Sequence, residues 1–161
     1  MNALTKEEFD QKADLAQYKL ELFEVQKRLM EEEQIECEAA HAFSPGLYLR
    51  QIYMPKGAIV IGKTHKTEHF NIVLSGSASV MIDGVICDVK APYIFKSKPN
   101  DKKVLHIHED MIWATTHVTE ETDISKLNSM MVCDLEEEKE LIDQFIEKLK
   151  IDSEQKTEVK Q

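Results

Sequence analysis

Cysteine, glycine and proline are scarce in this chain, and each shortage excludes something. The three cysteines, Cys37, Cys87 and Cys133, stand far apart with no CxxC spacing. That removes a disulfide framework and a zinc knuckle, and buried reduced thiols are expected instead. The five Gly and four Pro all fall between Pro45 and Pro99. Turn-rich architecture therefore belongs to the middle of the chain, and the flanks lack the residues that stop a helix. No apolar stretch approaches the roughly 20 residues of a membrane helix. The opening MNALTKEEFD carries acids where a secretory signal would carry a basic region, so a cytoplasmic protein with no membrane partner is expected. Positive charge is also short. Lys and Arg number 20 against 30 Asp and Glu, and the net charge of -10 repels nucleic acid at long range.

The 161 residues are 42% hydrophobic and 31% charged, which suits one ordinary globular domain with a core. Residues 1–36 carry 5 basic and 10 acidic side chains, residues 37–118 carry 9 and 7, and residues 119–161 carry 6 and 13. The acidity lies in the two flanks around a nearly neutral centre.

Residues 1–36 read as one amphipathic helix reaching to about Gln34. Thr5 and Glu8 form a capping-box pattern at its start. Leu15, Tyr18, Leu22, Val25 and Leu29 recur at steps of three and four, widened by Leu20, Phe23 and Met30. This stripe must cover something, either its own chain or the same helix of another subunit. Residues 43–118 read as eight short strand-like pieces separated by turns, of which Asp83-Gly84 is the sharpest. An antiparallel β-barrel or jelly roll is expected there. Residues 119–151 turn helical again, with Leu135, Leu141, Ile142, Phe145 and Leu149 on one face, and residues 152–161 read as a disordered tail. The fold class is therefore mainly β with α flanks.

The stretch GAIVIGKTHKTEHFNIVLSG, from Gly57 to Gly76, keeps every interval of the first cupin motif: glycine, two histidine positions, a glutamate position and a closing glycine. The segment resembles a cupin with altered chemistry, because Lys63 occupies the first histidine slot and His69 the glutamate slot. A second cupin motif is matched only weakly at Pro99 to Lys103, with Val104 where its last ligand would stand. The segments SPGLYLRQIYMPKG, GKTHKTEHFNI, SKPNDKKVL and EDMIWATTHVTEETD are also similar to small cupin-like proteins encoded by tailed bacteriophages. The resemblance implies a cupin (RmlC-like) fold and a phage origin, with a phage or host protein as a further partner. It brings no established activity.

Alternation along a strand puts Lys63, His65 and His69 on one face if the segment is extended. Trp113 and His117 share a face of a later strand, and His106 lies on another. If all turn inward, Lys63, His65, His69, His106, Trp113 and His117 line one pocket. His65, His69 and His117 could hold a divalent ion such as Zn, Fe, Ni or Mn. A catalytic carboxylate is missing from the pattern, and the Lys63 ammonium disfavours a cation and favours a small anionic ligand. Lys96, Lys98, Lys102 and Lys103 gather at the Pro99 turn, where a solvated loop is expected. Two functions follow from this reading: a homo-oligomeric binding or assembly module joined through the N-terminal helix and the barrel edges, or a cupin-type small-molecule enzyme, metal-dependent or an acid-base isomerase.

Overall fold

A computed structural model describes residues 5–158. They divide into two units: the helical flanks, meaning the described residues up to Glu32 and from Leu135 on, and a β unit of residues 33–134.

The helical unit holds α1 (Lys6–Leu29) and α3 (Leu135–Glu158). The capping box forms at the start of α1: Glu8 N–H donates to Thr5 Oγ1 at 3.2 Å and Thr5 N–H donates to the Glu8 carboxylate at 2.6 Å. The helix stops at Leu29, short of Gln34. Glu31 to Glu33 would have added three carboxylates to the negative end of the dipole. Phe23 and Ala16 are buried in α1, as are Ile142 and Leu149 in α3, and the two helices pack on each other. Of the apolar stripe of α1, Leu15, Tyr18, Leu22 and Val25 are half-buried, while Leu29 and the following Met30 are exposed. Residues 152–158, expected to be disordered, are helical, since nothing from Asp152 onward interrupts α3. Residues 159–161 lie outside the described residues. No helix of the described residues is long and apolar enough to cross a membrane.

The β unit is one antiparallel sheet of seven strands: β1 (Ala39–Ser44), β2 (Leu47–Met54), β3 (Ile59–Ile61), β4 (His69–Ile82), β5 (Val85–Lys90), β6 (Tyr93–Ser97) and β7 (Lys103–Val118). Four of the eight strand-like pieces are halves of β4 and β7, the two long strands at the centre of the sheet. The first half of β4 pairs with β6 and the second with β5, while β7 pairs with β3 early and β2 late. Each long strand therefore serves two sections of sheet. One core joins them: Met54, Val73, Met111 and Trp113 from one section cluster with Ala78, Val80, Val89, Leu105 and Ile107 from the other. The sheet is rolled around that core.

The roll turns at Gly76, where the register of β4 against β7 shifts. Gly76 has φ +82°, and a Cβ there would lie 2.3 Å from the Asp110 carbonyl oxygen, so this crossing demands glycine. The shift also exchanges the faces of β4: His69, Asn71 and Val73 point inward before it, Ala78 and Val80 after it. At the Asp83-Gly84 hairpin both residues have positive φ, 50° and 80°, as the dipeptide predicts. Strand β1 carries little β-branched sequence and is set by its pairing with β2. A short helix, α2 (Ile124–Met131), follows β7 and is capped by Asp123, whose carboxylate accepts from Ser125 N–H at 3.0 Å. Its Leu127 and Met131 pack with Tyr48 and Val132.

Candidate functional site

Three histidines meet at one end of the β unit. His69 opens β4 and His117 nearly closes β7, and the pairing of Phe70 with Thr116 brings the two side by side. His65 comes from the loop between β3 and β4. Its N–H donates to Asp101 O at 3.3 Å and its carbonyl accepts from Asn100 N–H at 2.7 Å. The neighbouring backbone is tied to the chain after α2, with Cys133 N–H donating to Thr64 O at 2.9 Å. A loop, and no strand parity, therefore delivers His65.

The ring centroids stand 4.2 Å apart for His65 and His69, 4.9 Å for His69 and His117, and 5.7 Å for His65 and His117. His69 and His117 are only 3% and 4% exposed. His69 Nδ1–H donates to Thr67 O at 3.0 Å, and His117 Nε2 pairs with the Thr115 hydroxyl at 3.2 Å. One buried nitrogen on each ring has no hydrogen-bond partner: His65 Nδ1, His69 Nε2 and His117 Nδ1. Burial holds all three below the usual imidazole range. His65 is pushed down to about 2, with His69, Lys103, His117 and Arg50 adding to the effect. His117 falls to about 4 by burial, then by His69, Arg50 and Lys103. His69 is lowered by burial, opposed by its bond to Thr67. The rings are neutral at pH 7.

Two cavities flank this cluster. The first, about 100 Å³, lies inside the roll and is lined by Ile52, Met54, Val60, Leu105 and Trp113, with Arg50, Lys63, His65, Asn71 and Lys103 supplying polarity. Lys103 is only 6% exposed, and burial lowers its amine to about 8; Asp101, which accepts Lys98 N–H, offsets this in part. Trp113 Nε1–H donates to the fully buried Asn71 at 3.2 Å, and Asn71 in turn donates to Ser97 at 2.8 Å. The second cavity, about 370 Å³, lies under α2. His65, Arg50 and Thr115 border both.

Of the six residues expected to share one pocket, the structure brings His65, Lys63 and Trp113 to the inner cavity and sets His117 on the outer one. His69 is buried within the ring cluster. Lys63 is exposed at the rim, because its segment is loop where an extended strand was expected. His106 does not converge: it is exposed and meets His108 edge to face at 4.9 Å. β7 is a single strand with one parity, so if Lys103, Leu105, Trp113 and His117 face in, His106 must face out. Lys102 and Lys103, expected in a solvated loop, are buried. Sequence reasoning missed Lys103 and Arg50. The alternation carrying Leu105 and Ile107 inward reaches Lys103, and that of Tyr48, Ile52 and Met54 reaches Arg50.

Cupins are associated with a divalent metal, and the donor set can be tested against one. No group of three or more His, Cys, Asp or Glu is placed to hold a metal ion among the described residues. The rings of His65 and His117 lie within 5° of parallel at 5.7 Å. Lys103 and Arg50 add positive charge, while Glu68 is exposed and paired with Lys96. As folded, these residues do not fit a divalent ion.

No family model matches the chain, and no curated protein does. Solved structures similar to it include a cupin superfamily protein from Desulfitobacterium hafniense, at 12% identity and TM-score 0.47 over 58% of this chain and 86% of that one. An RmlC-like cupin from Shewanella frigidimarina is 23% identical, with TM-score 0.45 over 56% and 85% of the two chains. A cupin 2 domain-containing protein from Halorhodospira halophila is 15% identical, with TM-score 0.47 over 62% and 79%. These likenesses concern the fold, and nothing about ligand or activity is drawn from them. In architecture the chain is mainly antiparallel β, with an N-terminal helix and C-terminal helices.

Proposed function

We propose that the β unit is a binding module that takes a small organic anion in the inner cavity. One observation carries this reading: the Lys103 amine is buried beside an apolar-walled cavity that Arg50 and Lys63 also border and no carboxylate lines. A buried ammonium needs a counter-charge. A volume of about 100 Å³ is below that of the apolar cavities that accept benzene, which suits a monocarboxylate of about four to six heavy atoms. The carboxylate would meet Lys103 and Arg50, and its hydrocarbon part would lie against Val60, Leu105 and Trp113.

Titration calorimetry of the untagged chain with butyrate and with its neutral isostere butyramide tests the proposal. Butyrate is expected to bind at least about 20-fold more tightly, the worth of roughly one charged hydrogen bond. Equal binding, or none, would reject it.

A second reading, a cupin-type enzyme working through the imidazoles with a metal or as acid and base, draws support from the three unpartnered ring nitrogens. Metal analysis of untagged protein separates the two. The binding reading expects less than about a tenth of an equivalent, and near-stoichiometric metal whose removal abolishes a reaction would favour the enzyme. Homo-oligomerisation belongs to the proposal as well. The exposed Phe70, Leu74 and Ile94 of β4 and β6 support it through the sheet, and the exposed Leu29 and Met30 at the end of α1 support it through the N-terminal helix. A phage origin rests on the sequence motifs.

A further inference from the structure

The outer cavity is distinct from the roll that gives the β unit its core. It is more than three times larger than the inner one, about 370 Å³ against 100 Å³, and α2, which follows the last strand, forms part of its wall through Ser125, Leu127, Asn128 and Met131. We infer that this chamber is a second binding site, for a compact oxyanion of the phosphate or dicarboxylate class, held by Arg50, His117 and Asn128.

Three observations carry the inference. His117 is 4% exposed, lines the chamber, and has a buried Nδ1 with no partner. A buried polar atom without a partner destabilises the fold unless something arrives to meet it. The Thr115 hydroxyl pairs with Nε2 at 3.2 Å, and Nδ1 is closed to solvent in this conformation, so a ligand meets it after a small turn of the ring. Where Thr115 donates to Nε2 the hydrogen lies on Nδ1, and an oxyanion selects that tautomer.

The second observation is the charge of the lining. Arg50 is its one charged side chain, beside the neutral rings of His65 and His117, and no carboxylate borders the chamber. The nearest acid along α2, Asp123, is turned back on the helix, where it accepts from the N–H and the hydroxyl of Ser125. A guanidinium with a two-pronged fork is suited to an oxyanion.

The third is the rest of the polar lining. His41 Nδ1 and the Tyr48 hydroxyl are bonded at 2.8 Å, and Tyr48 lies against the His117 ring at 5.9 Å. The apolar part of the inner cavity, Ile52, Met54, Val60, Leu105 and Trp113, takes the tail of its ligand. The outer chamber offers side-chain donors from several elements beside the apolar Ile124, Leu127, Met131 and Val132, and suits a ligand with more polar groups than the inner cavity takes. Because Arg50 borders both, occupancy of one chamber weakens the other for anions.

Calorimetry with inorganic phosphate and with succinate, on the untagged full chain, tests the inference. Saturable binding of either is expected, and the tighter one names the source of the oxyanion. Asn128 is exposed on α2, so Asn128→Phe fills the chamber with little effect on folding; it should weaken that binding at least tenfold and leave butyrate binding unchanged. His117→Ala should do the same. Val60→Phe, which fills only the inner cavity, should abolish butyrate binding and leave phosphate or succinate binding within twofold. Absence of saturable binding by both probes overturns the inference, as does binding that responds to Val60→Phe and ignores Asn128→Phe. Butyrate binding decides the inner-site reading separately.

Discussion

Replacing Lys103 with methionine is expected to abolish butyrate binding while making the ligand-free protein more stable. The amine is buried, and burial lowers it from its ordinary value to about 8, so at pH 7 the fold holds an ammonium away from water with only partial help from Asp101. Methionine fills similar space without a charge. Removing the charge should raise stability by about 1–3 kcal/mol, a melting-temperature increase of several degrees. The sign with pH follows from the same depression. Between about pH 8 and 10.5 the unfolded chain carries the proton that folded Lys103 has shed, so wild-type stability should rise across that window as pH increases. In Lys103→Met that rise should vanish. Affinity for butyrate should fall at least about 30-fold, since a charge-assisted bond in a desolvated pocket is lost. A destabilised variant that binds as well as wild type would make Lys103 a structural residue.

Acid should unfold the β unit early, through the same cluster. Free histidine titrates near 6.5, whereas in the fold His65 lies at about 2 and His117 at about 4, and His69 is lowered as well. Below pH 6.5 the unfolded chain takes up protons that the native state refuses. Stability is therefore complete above pH 6.5 and falls as the pH drops towards 4. At pH 5, His65 alone removes about 2 kcal/mol. Thermal melts between pH 7 and 4.5 should show a steep loss, and His65→Asn should flatten it. Bound butyrate should move the limb to lower pH, because its negative charge favours the imidazolium forms. A melting temperature that is flat from pH 7 to 5 would contradict the burial of these rings.

Much of the fold was legible because local signals and tertiary structure agree. The capping box of Thr5 and Glu8, the hairpin at Asp83-Gly84 and the alternation in β2 each act within a few residues. The candidate site was legible only in part, because it depends on long-range facts. His65 reaches the cluster through a loop pinned between Asn100, Asp101 and Cys133, contacts separated by more than thirty residues in sequence. The exposure of His106 follows from β7 being one strand, which the turn-like residues Glu109 and Asp110 hide from a reading by short windows. β4 behaves oppositely: Gly76 breaks its parity, so the two long central strands obey different rules. Lys103 was concealed by company, since it follows a run of solvated residues at the Pro99 turn and only its place in β7 marks it as inward.

The buried, cationic Lys103 in an anion-accepting cavity is the centre of the account, and its titration can be followed directly. Carbon-13 NMR of the Lys103 side-chain ε-carbon should report a midpoint of about 8 in the free protein, moving upward when butyrate saturates the cavity. A midpoint at the ordinary lysine value in the free protein, indifferent to butyrate, would put the amine in solvent and contradict the account.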